Sequence, residues 1–135
     1  MSSLPSNPSS KVIVSTPHAP AAIGPYSQAV VHGGLVYCSG QIALDPESMT
    51  IVGEDAASQA KQVMKNLGEV LKAAGSDFSK VIKCSIFLDS MDDFGVVNEV
   101  YGAYFEVDPP ARETVAVQTL PKQVLVEISC IASVE

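Results

Sequence analysis

With 135 residues, 47% hydrophobic and 17% charged, the chain is read as one domain with enough apolar material for a core of its own and too little charge for disorder. A formal net charge of −7 argues against a phosphate-backbone binder, which needs a basic stripe, and gives no electrostatic help in binding anionic membranes. No run approaches the ~20 apolar residues of a membrane span.

Residues 1–10 carry Ser, Pro and Asn and are expected to form a flexible tail before a single domain over residues 11–135. The tail is Ser-rich and acid-poor, two marks of a transit peptide, yet it has no arginine and no clear amphipathic helix. A cytoplasmic location is therefore expected, with a mitochondrial one as the alternative. A short β-prone run over residues 11–15 leads into a Pro/Ala loop. Gly24-Pro25-Tyr26-Ser27 turns the chain into a strand over residues 28–31. His32-Gly33-Gly34 is a hairpin signal into a strand over residues 35–39, and Gly40 then permits close approach of another group.

The first helix is predicted over residues 55–74. Ala60, Val63, Met64, Leu67, Leu71 and Ala74 recur at three- and four-residue spacing, while Gln59, Lys61, Lys65, Glu69 and Lys72 are placed largely outside that stripe. Gly75 suits the position after the helix. Residues 81–88 are β-branched and apolar without helical period, hence a strand. Ser90 or Asp92 can cap a second helix over residues 93–105, with Phe94, Val97, Tyr101, Tyr104 and Phe105 on its apolar face. Pro109-Pro110 stops it. Strands over residues 114–117 and 124–132 follow, separated by a turn at Leu120-Pro121-Lys122. The order strand, strand, strand, helix, strand, helix, strand, strand predicts an α+β fold, a mixed sheet with two helices packed on one face. The strands are apolar on both sides, so a second copy of the chain is expected to cover the other face.

Cys38, Cys84 and Cys130 have no metal or redox spacing and read as small buried hydrophobes in a reducing compartment. Among eight Lys and Arg residues only one is arginine, Arg112, placed just before a strand. A guanidinium captures a carboxylate or phosphate in a fork that lysine cannot make. Glu127 is the odd carboxylate in the last strand, beside Leu125, Ser129 and Ile131. Pairing the last two strands as an antiparallel hairpin about residues 119–120 sets Arg112 and Glu127 roughly opposite each other. Two roles are open: a structural ion pair, or an anion-binding arginine with an acid–base glutamate. Without metal clusters, phosphate loops or nucleophile motifs, any enzyme is confined to cofactor-free acid–base or hydrolytic chemistry.

An ordered set of segments resembles the RidA (YjgF) family of enamine/imine deaminases. They are Ala21-Ala22-Ile23-Gly24-Pro25-Tyr26-Ser27-Gln28-Ala29, Cys38-Ser39-Gly40-Gln41-Ile42, Ala73-Ala74-Gly75, Asp93-Phe94-Gly95-Val96-Val97-Asn98, Pro110-Ala111-Arg112 and Leu120-Pro121-Lys122 through Val126-Glu127-Ile128. The resemblance spans residues 12–134. It implies a chorismate-mutase-like homotrimer with sites in clefts between subunits. It also implies hydrolysis of 2-aminoacrylate and related 2-imino acids to 2-keto acids and ammonia, with no cofactor; the residues themselves offer no metal-ligand spacing, membrane span or basic stripe, so no metal and no membrane partner are expected and a nucleic-acid partner is disfavoured. By the same resemblance Arg112 binds the substrate carboxylate and Glu127 activates the attacking water. Tyr26 walls the pocket, Ser39 and the Gly40 backbone contact substrate or water, Asn98 supports the cleft, and the Thr114 backbone faces the ligand. Alternatives are a ribonuclease or translation inhibitor, which the acidic charge and loop-borne His18 and His32 disfavour, and a non-catalytic ligand-binding or chaperone-like trimer.

Three positions depart from the family pattern. Glu113 follows the arginine where many members are small or apolar, and its side chain should point away from Arg112. Thr114 stands where many bacterial members have cysteine. Pro109 replaces the usual aromatic before Pro-Ala-Arg.

Overall fold

The computed structural model describes residues 10–134, so the expected tail lies, apart from Ser10, outside the described residues. Eight main elements follow the predicted order: β1 (Val12–Val14), β2 (Ala29–His32), β3 (Leu35–Gln41), α1 (Ala56–Ala73), β4 (Val81–Leu88), α2 (Phe94–Gly102), β5 (Ala111–Ala116) and β6 (Val126–Ser133). Short 3-10 turns precede β4, α2 and β6.

Local chemistry sets the boundaries. Gly33 and Gly34 (φ 62° and 83°) form the two-residue turn between β2 and β3, a backbone that fits the right-handed twist of a hairpin. The Asp55 carboxylate accepts from the Ser58 N–H at 2.8 Å and caps α1. At the other end Gly75 adopts φ 84° and Ser76 N–H returns to the Leu71 carbonyl at 2.9 Å. Ser90 caps the 3-10 turn ahead of α2, which is shorter than predicted because the chain leaves the helix at Ala103.

The six strands form one mixed sheet in the order β1-β2-β3-β6-β4-β5. All neighbours are antiparallel except β4 and β5, which are parallel and joined through α2. The predicted antiparallel hairpin of β5 with β6 is therefore wrong: β4 lies between them, pairing Cys84 with Arg112 on one side and Phe87 with Glu127 on the other. A strand–helix–strand crossover of this length favours parallel pairing, and that outweighs the turn signal at Leu120-Pro121-Lys122.

Both helices cover one face. Val36, Ile86, Leu88, Val126 and Ile128 from the sheet meet Val63, Met64, Leu67 and Leu71 of α1, all nearly inaccessible to solvent. Each such side chain contributes ~1.5–3 kcal/mol by leaving water. The three cysteines are buried in this layer, neighbours across β3, β6 and β4. Two helical polar residues join them. Gln59 and Asn66 are 5% and 0% exposed, against the expectation that Gln59 lies outside the buried stripe. The opposite face carries Tyr37, Ile131 and Lys83 in one row, Ser129, Ser85 and Glu113 in the next, and Glu127, Phe87 and Val115 in a third. No described element covers it, and Ile13, Tyr37 and Val115 remain 53%, 43% and 44% exposed.

Candidate functional site

A β-bulge starts the site. Cys38 pairs with Cys130 and Gln41 with Ile128, so Ser39 and Gly40 together oppose Ser129. The extra residue re-aims both, as bulges do beside functional clefts. Ser39 Oγ donates to the Ser27 carbonyl at 2.6 Å and its N–H to the Gln28 carbonyl at 3.0 Å, which fastens the Tyr26 loop to β3. Gly40 has no side chain because Glu127 lies over it. A Cβ there would come within 2.8 Å of the Glu127 carboxyl carbon and 2.9 Å of its Cγ.

Glu127 is partly buried, and burial raises its carboxyl pKa above the ordinary value of 4.5. No hydrogen bond to the carboxylate among the described residues offsets that shift, so Glu127 can exchange protons nearer neutrality than a surface acid. With Tyr26, Ser39, Gly40, Ile23 and Pro121 it lines a cleft of about 390 Å³. The Tyr26 hydroxyl accepts from the Ile23 N–H at 3.3 Å, leaving the ring as a half-exposed wall. Buried amides brace this cleft. Gln28 Oε1 accepts from Thr16 N–H at 2.6 Å, and its Nε2 donates to the Pro20 carbonyl at 2.8 Å. Asn66 Nδ2 donates to the Ile42 and Leu44 carbonyls at 3.2 and 2.9 Å, while Gln59 Oε1 accepts from Leu125 N–H at 2.8 Å.

Arg112 lies within β5, not before it as the sequence reading had it, and β5 is an edge strand. Its Nη1 donates to Asn98 Oδ1 at 2.5 Å. Its guanidinium carbon sits 5.2 Å from the Tyr101 ring centre and 5.7 Å from that of Phe94. No carboxylate pairs with it among the described residues. Glu113 points elsewhere, as expected: it accepts from Ser85 Oγ at 2.5 Å and pairs with Lys83 at 3.2 Å, contacts that hold its carboxyl below the ordinary value. Thr114 and Tyr101 bury hydroxyls without a formed hydrogen bond; the Tyr101 hydroxyl has only the Cys84 thiol beside it, a weak partner. Burial first, then that thiol, raises the Tyr101 pKa.

Two half-sites result. Tyr26, Ser39, Gly40 and Glu127 converge on one cleft, while Asn98 and Arg112 line another of about 430 Å³. Thr114 follows on the same strand face as Arg112. Ladder partners share a face, and Cys84 and Phe87 are an odd number of residues apart. Arg112 therefore belongs to the helix-covered side and Glu127 to the open side. The structural ion pair that the sequence left open does not form within one chain. The sequence reading missed Gln28 and Asn66, although Asn66 falls at helical spacing with Val63 and Val70. It placed Phe94 and Tyr101 on an apolar helix face without connecting them to Arg112. Among the described residues no group of three or more His, Cys, Asp or Glu side chains is placed to hold a metal ion.

Residues 16–134 match the family model described as Endoribonuclease L-PSP. A mouse protein named 2-iminobutanoate/2-iminopropanoate deaminase is 52% identical over 120 residues, covering 89% of this chain and 89% of that protein. Among solved structures, RidA from an Antarctic Psychrobacter bacterium matches with a TM-score of 0.87 at 43% identity, covering 90% of this chain and 98% of that one. Escherichia coli TdcF, solved with bound serine, matches with a TM-score of 0.86 at 38% identity, covering 90% and 98%.

Proposed function

We propose that this chain, which belongs to the YjgF/RidA family, is a cofactor-free hydrolase that converts 2-aminoacrylate and related 2-imino acids to 2-keto acids and ammonia. The observation that carries the reading is the pair of half-sites on opposite sheet faces. One offers a guanidinium with neutral partners. The other offers a carboxyl of raised pKa over a glycine. Neither is sufficient alone. The uncovered sheet face provides the surface through which a second copy brings them together. In the homotrimer that the family resemblance implies, Tyr26, Ser39, Gly40 and Glu127 of one subunit complete a cleft with Asn98, Arg112 and Thr114 of the next.

The chemistry then follows. Arg112 holds the substrate carboxylate in a two-pronged hydrogen bond and leaves C2 facing Glu127. Enamine substrate first tautomerises to the imine by moving a proton from nitrogen to C3. Glu127 removes a proton from water as its oxygen bonds to C2, giving a carbinolamine. The same carboxyl returns that proton to nitrogen. Glu127 then passes the carbinolamine hydroxyl proton to nitrogen as the C–N bond breaks, so the bond's electron pair leaves with ammonia and the ketone forms. A carboxyl of raised pKa suits both halves of this shuttle. An RNA substrate would instead meet a surface of charge −7 with a single arginine. No helix among the described residues is long and apolar enough to cross a membrane.

An amino-acid oxidase generating the imino acid in situ, with semicarbazide as competing trap, tests the reading. Native protein accelerates keto-acid release, Arg112→Ala abolishes it, and Arg112→Lys gives an intermediate rate. A near-native rate in Arg112→Ala refutes carboxylate capture. Mixing unfolded Arg112→Ala with unfolded Glu127→Gln before refolding tests the composite site. In a trimer with sites between subunits, about one quarter of the sites regain both groups by random assortment. No recovery refutes the shared cleft.

A further inference from the structure

We propose that Phe94 and Tyr101 are positioning residues, an aromatic bracket on α2 that holds the Arg112 guanidinium rigid while leaving its charge free for an anion. The inference rests on the reading of Arg112 as the carboxylate-binding group. Phe94, Asn98 and Tyr101 stand at helical spacings of four and three, so they form one stripe facing β5. The guanidinium carbon lies 5.7 Å from one ring centre and 5.2 Å from the other, inside the range of cation–π attraction. Nη1 is held by the Asn98 side-chain oxygen.

Arginine on an edge strand would otherwise sample many rotamers, an entropy that each binding event must remove. A carboxylate partner would remove that freedom but also neutralise the charge. Two rings and an amide remove it without doing so. The one acid adjacent in sequence, Glu113, is occupied on the opposite face by Lys83 and Ser85. Tyr101 is a firm platform: it is 5% exposed, its ring packs at 4.8 Å from Phe105, and its hydroxyl is enclosed beside the thiol of Cys84, the ladder partner of Arg112. Phe94 is the half-buried outer ring. The tyrosine hydroxyl has no formed hydrogen bond, so the bracket needs the ring and not the phenol.

Because Arg112 is the chain's only arginine, its side-chain Nε–Hε group gives a single arginine signal in a nitrogen–proton NMR spectrum. In the native protein this signal is expected displaced by the ring currents, with the Nη groups resolved by slowed rotation. Phe94→Leu and Tyr101→Leu move it toward the free-arginine position and raise KM for 2-iminobutanoate about 2- to 5-fold per ring, with kcat nearly unchanged. Tyr101→Phe leaves both readings at native values. Phe94→Leu carries the test if Tyr101→Leu does not fold. A native signal already at the free-arginine position, or unchanged KM after a ring is lost, overturns the bracket. The NMR arm needs no turnover, so failure of the deaminase reading is seen separately, as native protein that gives a bracketed signal but no hydrolysis.

Discussion

Substituting Gly40 by alanine sets steric repulsion directly against the placement of Glu127. The new methyl would lie 2.8 Å from the Glu127 carboxyl carbon and 2.9 Å from Cγ, well inside contact distance. Gly40 does not occupy the left-handed region, so alanine is tolerated by its backbone. The strain is relieved at the far end of a flexible side chain. Turning that chain off its rotamer costs about 0.5–1.5 kcal/mol, which lowers Tm by only about 2–8 °C in a domain of this size. Displacing a general base by about 1 Å costs ~10²-fold in rate, or about 2.7 kcal/mol of transition-state stabilisation. Gly40→Ala is thus expected to melt cooperatively near the native temperature while kcat in the coupled imine assay falls ~10²-fold. The loss should vanish in a Glu127→Gln background, since the two changes act on one group. A rate within ~3-fold of native, corresponding to under about 1 kcal/mol, would refute the role given to Glu127 over Gly40.

Glu127→Gln should reduce turnover to a small residual rate and also change stability with pH. Burial favours the protonated carboxyl in the folded state, so the folded protein holds more protons than the unfolded chain above pH 4.5 and loses stability as pH rises from there. The variant is therefore expected to gain Tm relative to native at pH 8 and not at pH 4; an equal offset at both would contradict the buried carboxyl. Asn66→Leu strands the Ile42 and Leu44 carbonyls and should cost ~1–3 kcal/mol, read as a lower midpoint in urea with unchanged slope. Glu113 shows the opposite linkage. Its pKa is lowered by Ser85 and then Lys83, so its contribution is present above pH 4.5 and fades as pH falls below it. Native and Glu113→Gln melting temperatures should converge under acid and in high salt, with imine hydrolysis unaffected.

Much of the fold follows from residue pattern alone. The Gly33-Gly34 turn, the α1 stripe and the alternation along β6 are local, and each was legible. The strand order was not. The turn at residues 120–123 resembles a hairpin, yet β4, α2 and β5 form a crossover unit that puts β4 between β5 and β6. Weighing crossover geometry above turn chemistry would have separated Arg112 from Glu127 at once. Single residues were harder. Arg112 stands out by composition, but its contact with Asn98 joins a strand to a helix 14 residues away. Gln59 and Asn66 carry amides that periodicity scores as polar, although positions 59, 63, 66 and 70 alternate by four and three as a buried stripe does. Their burial is determined by carbonyls and an N–H in distant loops, which no local window contains.

The position of β6 has a consequence for synthesis. It is the last of the described strands in sequence and a central one in space, with β3 on one side and β4 on the other. Until residues 126–133 leave the ribosome, β1–β3 and β4–β5 are separate ribbons with no ladder between them. Each exposes an unpaired strand edge, β3 on one ribbon and β4 on the other, a template for neighbouring nascent chains. Chaperone dependence should consequently concentrate in the interval before residues 126–133 emerge, and a ribosome stalled just upstream of them should capture holdases that a nascent chain already displaying them does not.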